Sequence, residues 1–124
     1  VIYLDTSAAY KLLSREPEVR EVEALFASGT GLLSSRLLEV ELQATVRRRG
    51  GSVEDVAAIL RRVELDAVDD EIIDHALSLQ AELRALDALH LSTALLYGAE
   101  VTAIATYDRE LGAAAERHGL PCHR

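Results

Sequence analysis

The chain carries one cysteine, Cys122, so an internal disulfide is excluded, and that thiol with four scattered histidines gives no zinc-finger spacing. No stretch approaches the roughly 18 uninterrupted apolar residues of a membrane-spanning helix, and the N-terminus lacks the basic stretch and long apolar run of a secretory signal. A soluble, cytoplasmic protein with no membrane association is expected. Neither a Walker phosphate loop nor a dinucleotide-binding glycine pattern occurs, which removes the nucleotide-cofactor enzymes. Internal repeats, low-complexity tracts and linkers are also missing.

What is present suits one globular domain over 1–124. The 124 residues are 49% hydrophobic and 27% charged, enough for one core and too few for two. The formal charge of −8 argues against gripping nucleic acid through a broad basic face, which needs clustered Lys and Arg. That objection weakens if several carboxylates hold divalent cations, which reverse the local field, or if a basic partner covers them.

Along the chain, strand-like and helix-like patterns alternate. Val1 to Leu4 is an apolar run ending in Asp5-Thr6-Ser7, after which Ala8, Ala9, Leu12 and Leu13 take a helical period. Pro17 can open a second helix with Val19, Val22, Leu25 and Phe26 as its stripe, before Ser28-Gly29-Thr30-Gly31 breaks it. Leu32 to Ser34 reads as a strand, and Leu37, Leu38, Val40, Leu42 and Val46 as a helix ending near Arg47-Arg48-Arg49-Gly50. Ser52 caps another helix, with Val53, Val56, Ile59 and Leu60 expected inward. A short strand near Val63 to Ala67 leads to a long helix from Asp70 to Ala85, and Asp87 to Tyr97 continues helical until Gly98. Val101 to Ala105 is the next strand, followed by a helix that Gly119 and Pro121 close. Such alternation implies right-handed crossovers and a parallel sheet with helices on both faces.

Asp5 and Asp108 each stand just past a predicted strand, at the edge where open α/β sheets place ligands. Each is equally well an N-cap when taken alone, and Asp87 shares that alternative. Glu41 differs, because it lies within a helix between Val40 and Leu42, where a carboxylate either reaches an edge or is costly to desolvate. Glu39, two residues earlier, points about 200° away. A solvated helix position remains the alternative for Glu41. Four acids from four elements would repel one another unless something positive sat among them, and hard divalent cations such as Mg²⁺ or Mn²⁺ suit carboxylate oxygens.

Rival enzymes with an Asp after the first strand fit poorly. A phosphoacceptor receiver domain needs a lysine late in the chain, and the only lysine is Lys11. A haloacid-dehalogenase-type phosphatase needs a second Asp where Ser7 stands.

Four segments resemble, in order and spacing, the motifs of VapC-type PIN domains, the toxins of toxin–antitoxin pairs. They are Ile2-Tyr3-Leu4-Asp5-Thr6-Ser7-Ala8, Ser35-Arg36-Leu37-Leu38-Glu39-Val40-Glu41-Leu42, the run from Leu83-Arg84-Ala85-Leu86-Asp87 to Ala94, and Thr106-Tyr107-Asp108-Arg109-Glu110-Leu111. The resemblance implies a three-layer α/β sandwich with a five-stranded parallel sheet, its last strand near Pro121 to His123. It implies Asp5, Glu41, Asp87 and Asp108 as the catalytic, metal-binding acids, with Thr6, Ser7 and Thr106 in support and a one-turn ambiguity between Glu41 and Glu39. It further implies Mg²⁺- or Mn²⁺-dependent endonucleolytic hydrolysis of RNA by activated water, a homodimer, and a VapB-like antitoxin whose basic tail would suit the acidic surface. The alternative is a PIN fold that has lost catalysis and serves as an RNA-binding or protein-interaction module.

The remaining polar residues are less specific. Arg47, Arg48, Arg49, Arg61 and Arg62 concentrate positive charge, and Arg47 to Arg49 with Arg84 are candidate RNA contacts. Cations favoured at a helix C-terminus explain Arg47 to Arg49 equally well, and Arg84 could simply pair with an acid. His90 shares a helix face with Asp87 and is expected to be a buried, hydrogen-bonded core histidine rather than a general base. His75, His118 and His123 are expected at the surface, and Cys122 as a small apolar filler.

Overall fold

The computed structural model describes residues 1–14, 17 and 19–123. The elements run β1 (Ile2–Leu4), α1 (Thr6–Ser14), α2 (Val19–Ala27), β2 (Leu32–Ser35), α3 (Arg36–Arg49), α4 (Val53–Leu60), β3 (Glu64–Asp66), α5 (Asp70–Leu79), α6 (Ala85–Leu96), β4 (Ala103–Ala105) and α7 (Arg109–Arg117), with a 3-10 turn at Gly98–Glu100.

The strands form one parallel sheet in the order β3-β2-β1-β4. The chain leaves β1 toward β2 and β3 on one side and returns to its other side as β4, so the order switches between β1 and β4. Such a switch opens a crevice beyond the C-terminal strand ends. Leu4 pairs with Ala105, and the Asp5 amide donates to the Ala105 carbonyl at 3.0 Å. The residues after both strands therefore start side by side.

Strand alternation sends neighbouring residues to opposite faces. Ile2, Leu4 and Leu32 pack with Ala8, Ala9, Leu38, Leu42 and Val56 against α1, α3 and α4. Tyr3, Leu33 and Ile104 pack with Leu91, Leu111 and Ala114 against α6 and α7. The three-layer α/β sandwich expected from the alternation is what the chain adopts.

Several details differ from the sequence reading. Four strands, not five, are present among the described residues. The segment expected as the fifth runs beside β4, with the Ile104 amide donating to the Pro121 carbonyl at 2.9 Å and the His123 amide to the Ile104 carbonyl at 2.8 Å, but only Cys122 bridges to Ile104. Pro121 has no N–H to extend the ladder. The long helix expected from Asp70 to Ala85 stops at Leu79, where Gln80 turns left-handed (φ 51°), and α6 starts afresh at Ala85. Leu79 and Leu83 both pack against the second core, so the chain turns between them to keep both inside. Val53 is exposed rather than inward, leaving Val56 and Ile59 as the buried stripe of α4. His75 is half-buried rather than superficial, and its Nδ1 lies 2.9 Å from Ser92 Oγ, joining α5 to α6.

Candidate active site

Asp5 follows directly on β1 and is only 4% exposed. Its Oδ2 accepts hydrogen bonds from Thr106 Oγ1 at 2.8 Å, Ser7 Oγ at 2.7 Å and the Ser7 amide at 3.3 Å. The amide bond makes Asp5 a cap for the first turn of α1 as well as a site residue. Thr106, just past β4, also accepts from the Asp108 amide at 3.0 Å, and Ser7 Oγ accepts from the Tyr107 amide at 2.8 Å. The two strand ends are thus laced together through hydroxyls, with Asp5 Oδ1 turned toward His90.

Glu41 enters from α3. Ser35 caps that helix by accepting from the Leu37 amide at 3.1 Å, which sets the phase: Leu38 and Leu42 go into the core and Glu41 faces the crevice. Glu39 points elsewhere and accepts from Arg36 Nη2 at 3.2 Å. Glu41 Oε1 lies 2.7 Å from His90 Nε2 and accepts from Thr6 Oγ1 at 2.9 Å.

His90 is fully buried, and its other nitrogen, Nδ1, lies 2.8 Å from the Tyr3 hydroxyl. In the neutral ring Nε2–H donates to Glu41 while Nδ1 accepts from Tyr3, so each polar atom is satisfied. Burial opposes charging this ring, but the hydrogen bond to Glu41 and the fields of Asp5, Glu41 and Asp87 outweigh it and raise the imidazole above its ordinary value. Burial pushes the Tyr3 phenol far up, which keeps it protonated as a donor. The expectation of a buried, hydrogen-bonded His90 holds. What the sequence reading missed is that His90 and Tyr3 form a chain ending on Glu41. The one available signal was a tyrosine inside an apolar strand, whose hydroxyl needs a buried partner.

Asp87 and Asp108 complete the set. Arg84, not Asp87, occupies the N-cap position of α6, so Asp87 sits in the first turn and its capping alternative falls. Asp108 does cap α7, with Oδ1 accepting from the Leu111 amide at 3.0 Å, while its Oδ2 accepts from Arg84 Nη2 at 3.0 Å. Arg84 Nε donates to Asp87 Oδ2 at 3.3 Å. The Asp87 carboxyl is raised, first by burial and then by the charges of Asp108 and Asp5, with Arg84 working against the rise. Burial thus leads the rise, and the neighbouring carboxylates add to it.

The four acids are therefore gathered at the sheet edge as two pairs: Asp5 and Glu41 flank His90 Nε2, and Asp87 and Asp108 flank the Arg84 guanidinium. As they stand, no three His, Cys, Asp or Glu side chains among the described residues are grouped as ligands of one ion. Their oxygens are nonetheless the hard donors that suit Mg²⁺ or Mn²⁺, and the like-charge crowding at Asp87 is what a cation would relieve. A cavity of about 400 Å³ lies beside the acids, not on them, and shares Thr106 with the site.

Of the other candidate residues, Arg47, Arg48 and Arg49 are exposed at the far end of α3, about two turns beyond Glu41. Arg49 donates to the Tyr10 hydroxyl at 3.3 Å and stacks over its ring. Arg62 is taken up structurally, donating to the Phe26 carbonyl at 2.9 Å and the Thr30 carbonyl at 3.3 Å.

The sequence profile of the PIN domain matches residues 2–117. Ribonuclease VapC47 of Mycobacterium tuberculosis is 36% identical over 118 residues, covering 90% of this chain and 87% of that protein. Among solved structures, VapC20 of M. tuberculosis, described as a sarcin-ricin-loop-cleaving toxin, superposes with a TM-score of 0.75 at 20% identity over 100% of this chain and 99% of its own. A chain of a toxin–antitoxin complex from Klebsiella pneumoniae gives 0.69 at 17% identity over 87% of both chains.

Proposed function

The chain belongs to the PIN-domain family, in its VapC type, and from that premise we propose that it is a metal-dependent endoribonuclease acting as the toxin of a toxin–antitoxin pair. The observation that carries this reading is the convergence of Asp5, Glu41, Asp87 and Asp108 from four elements on the crevice between β1 and β4. Ribonuclease relatives and a toxin–antitoxin neighbour support it.

Asp5, Glu41, Asp87 and Asp108 would hold Mg²⁺ or Mn²⁺, which when bound supplies an activated water and neutralises charge at the phosphodiester. The chain's own residues set up the rest. Thr106 and Ser7 pin one oxygen of Asp5 and so orient the other. His90, held by Tyr3, fixes Glu41 together with Thr6. Asp108 is locked by its cap to α7, so its second oxygen keeps a constant direction. These supports make the carboxylates preorganised rather than swinging acids.

Arg84 at the acids, and Arg47, Arg48 and Arg49 farther along α3, offer charge to the RNA backbone. A basic antitoxin tail suits a chain of net charge −8, and the functional unit we propose is a homodimer. The test is cleavage of structured RNAs by antitoxin-free protein with Mg²⁺ or Mn²⁺ against EDTA. Cutting that persists undiminished in EDTA overturns the metal reading, and no cutting of any RNA favours the non-catalytic PIN module.

A further inference from the structure

The cation that Asp87 and Asp108 hold belongs to the chain itself. Two different nitrogens of one guanidinium do the holding, so both acids are engaged at once: Arg84 Nε is 3.3 Å from Asp87 Oδ2 and Nη2 is 3.0 Å from Asp108 Oδ2. The acids are anchored independently of it. Asp108 is tied through Oδ1 to the Leu111 amide and through its own amide to Thr106, while Asp87 stands in the first turn of α6. Arg84 is the partner able to move. Its side chain is 77% exposed, it makes no side-chain cap bond to α6, and it ends the non-helical link 80–84 that opens with left-handed Gln80.

We propose that Arg84 is a displaceable counter-ion of the acid site: it occupies Asp87 and Asp108 in the metal-free protein, competes with a divalent cation for them, and swings out when the ion binds. This rests on the metal reading above. Charge favours the exchange. Asp87 feels both Asp108 and Asp5 as like charges, Arg84 cancels one unit of that field, and a divalent ion cancels two. The arginine's side of the exchange is undemanding, because its guanidinium is 77% exposed and returns to water, whereas Asp87 and Asp108, only 14% and 19% exposed, are left needing a cation in its place. Linkage makes the competition reciprocal: whatever Arg84 gains from the two acids is subtracted from the apparent affinity for the ion. Once displaced, the guanidinium stands at the mouth of the site with its charge available to a phosphate.

The experiment is calorimetric titration of Mn²⁺ into the whole chain without RNA or antitoxin. Wild type is compared with Arg84→Met and with Arg109→Met, which removes the same charge one residue after Asp108. Arg84→Met is expected to bind Mn²⁺ about three- to tenfold more tightly, in keeping with two pairs whose arginine side is solvent-exposed. Arg109→Met should change affinity by less than about twofold, because a screened surface charge acts weakly at a distance. Unchanged or weaker binding in Arg84→Met overturns the inference and leaves the metal reading standing, as does equal tightening in both variants. If neither wild type nor Arg84→Met binds Mn²⁺, the metal reading falls and takes this inference with it.

Discussion

His90 and Glu41 are 49 residues apart in the chain, yet His90 Nε2 lies 2.7 Å from Glu41 Oε1. The imidazole is closed off on its far side by the Tyr3 hydroxyl, so it acts as a rigid strut between the sheet and α3. His90→Asn removes that strut while keeping a polar side chain. Cleavage is expected to fall about 10- to 100-fold, as is usual when a residue orienting a site carboxylate is lost. His90→Ala should in addition destabilise the protein by about 2–4 kcal/mol, since it leaves a cavity and removes one partner of the buried Tyr3 hydroxyl. Denaturant unfolding of both variants separates the two effects, and full activity in His90→Asn contradicts the strut.

Thr106 serves two acids with one oxygen, donating to Asp5 and accepting from the Asp108 amide. Thr106→Val keeps the shape and deletes both bonds. A stability loss of about 1–2 kcal/mol is expected, with a drop in cleavage larger than that loss explains. Steady-state rates measured well below the unfolding transition check this.

Glu41 and Glu39 are discriminated by direction alone. Glu41→Gln should abolish or nearly abolish cleavage, whereas Glu39→Gln removes only an exposed pair with Arg36 and should leave both activity and melting temperature essentially unchanged. Loss of activity in Glu39→Gln reverses the assignment.

How much of this was readable from the sequence follows from what periodicity encodes. Asp5 and Asp108 were legible because the apolar runs ending at Leu4 and Ala105 fix where the strands stop. Periodicity placed Glu41 within α3 but left a solvated helix position open, and only the family resemblance selected it as a site acid. The Tyr3–His90–Glu41 chain was not legible, since a pattern of neighbours carries no information about an 87-residue contact. The break after Leu79 was hidden because Gln80, not glycine, takes the left-handed conformation. Without that break Arg84 reads as a helix-interior residue, and its reach to Asp108, 24 residues away, cannot be anticipated.

A ligand that binds only the folded acids must also stabilise them. Mg²⁺ or Mn²⁺ at a hundredfold excess over Kd adds about 2.7 kcal/mol, which raises Tm by several degrees. Asp87→Asn should lose most of that rise, and scanning calorimetry with and without EDTA reads it. An equal rise in Asp87→Asn argues that the ion binds elsewhere.

The most direct measurement is cleavage of a panel of structured RNAs, tRNAs included, by the antitoxin-free chain beside Asp5→Asn prepared identically. The account predicts cutting with Mg²⁺ or Mn²⁺ that EDTA stops and Asp5→Asn lacks, although the variant folds as well as wild type. Cutting by Asp5→Asn at the wild-type rate would contradict it.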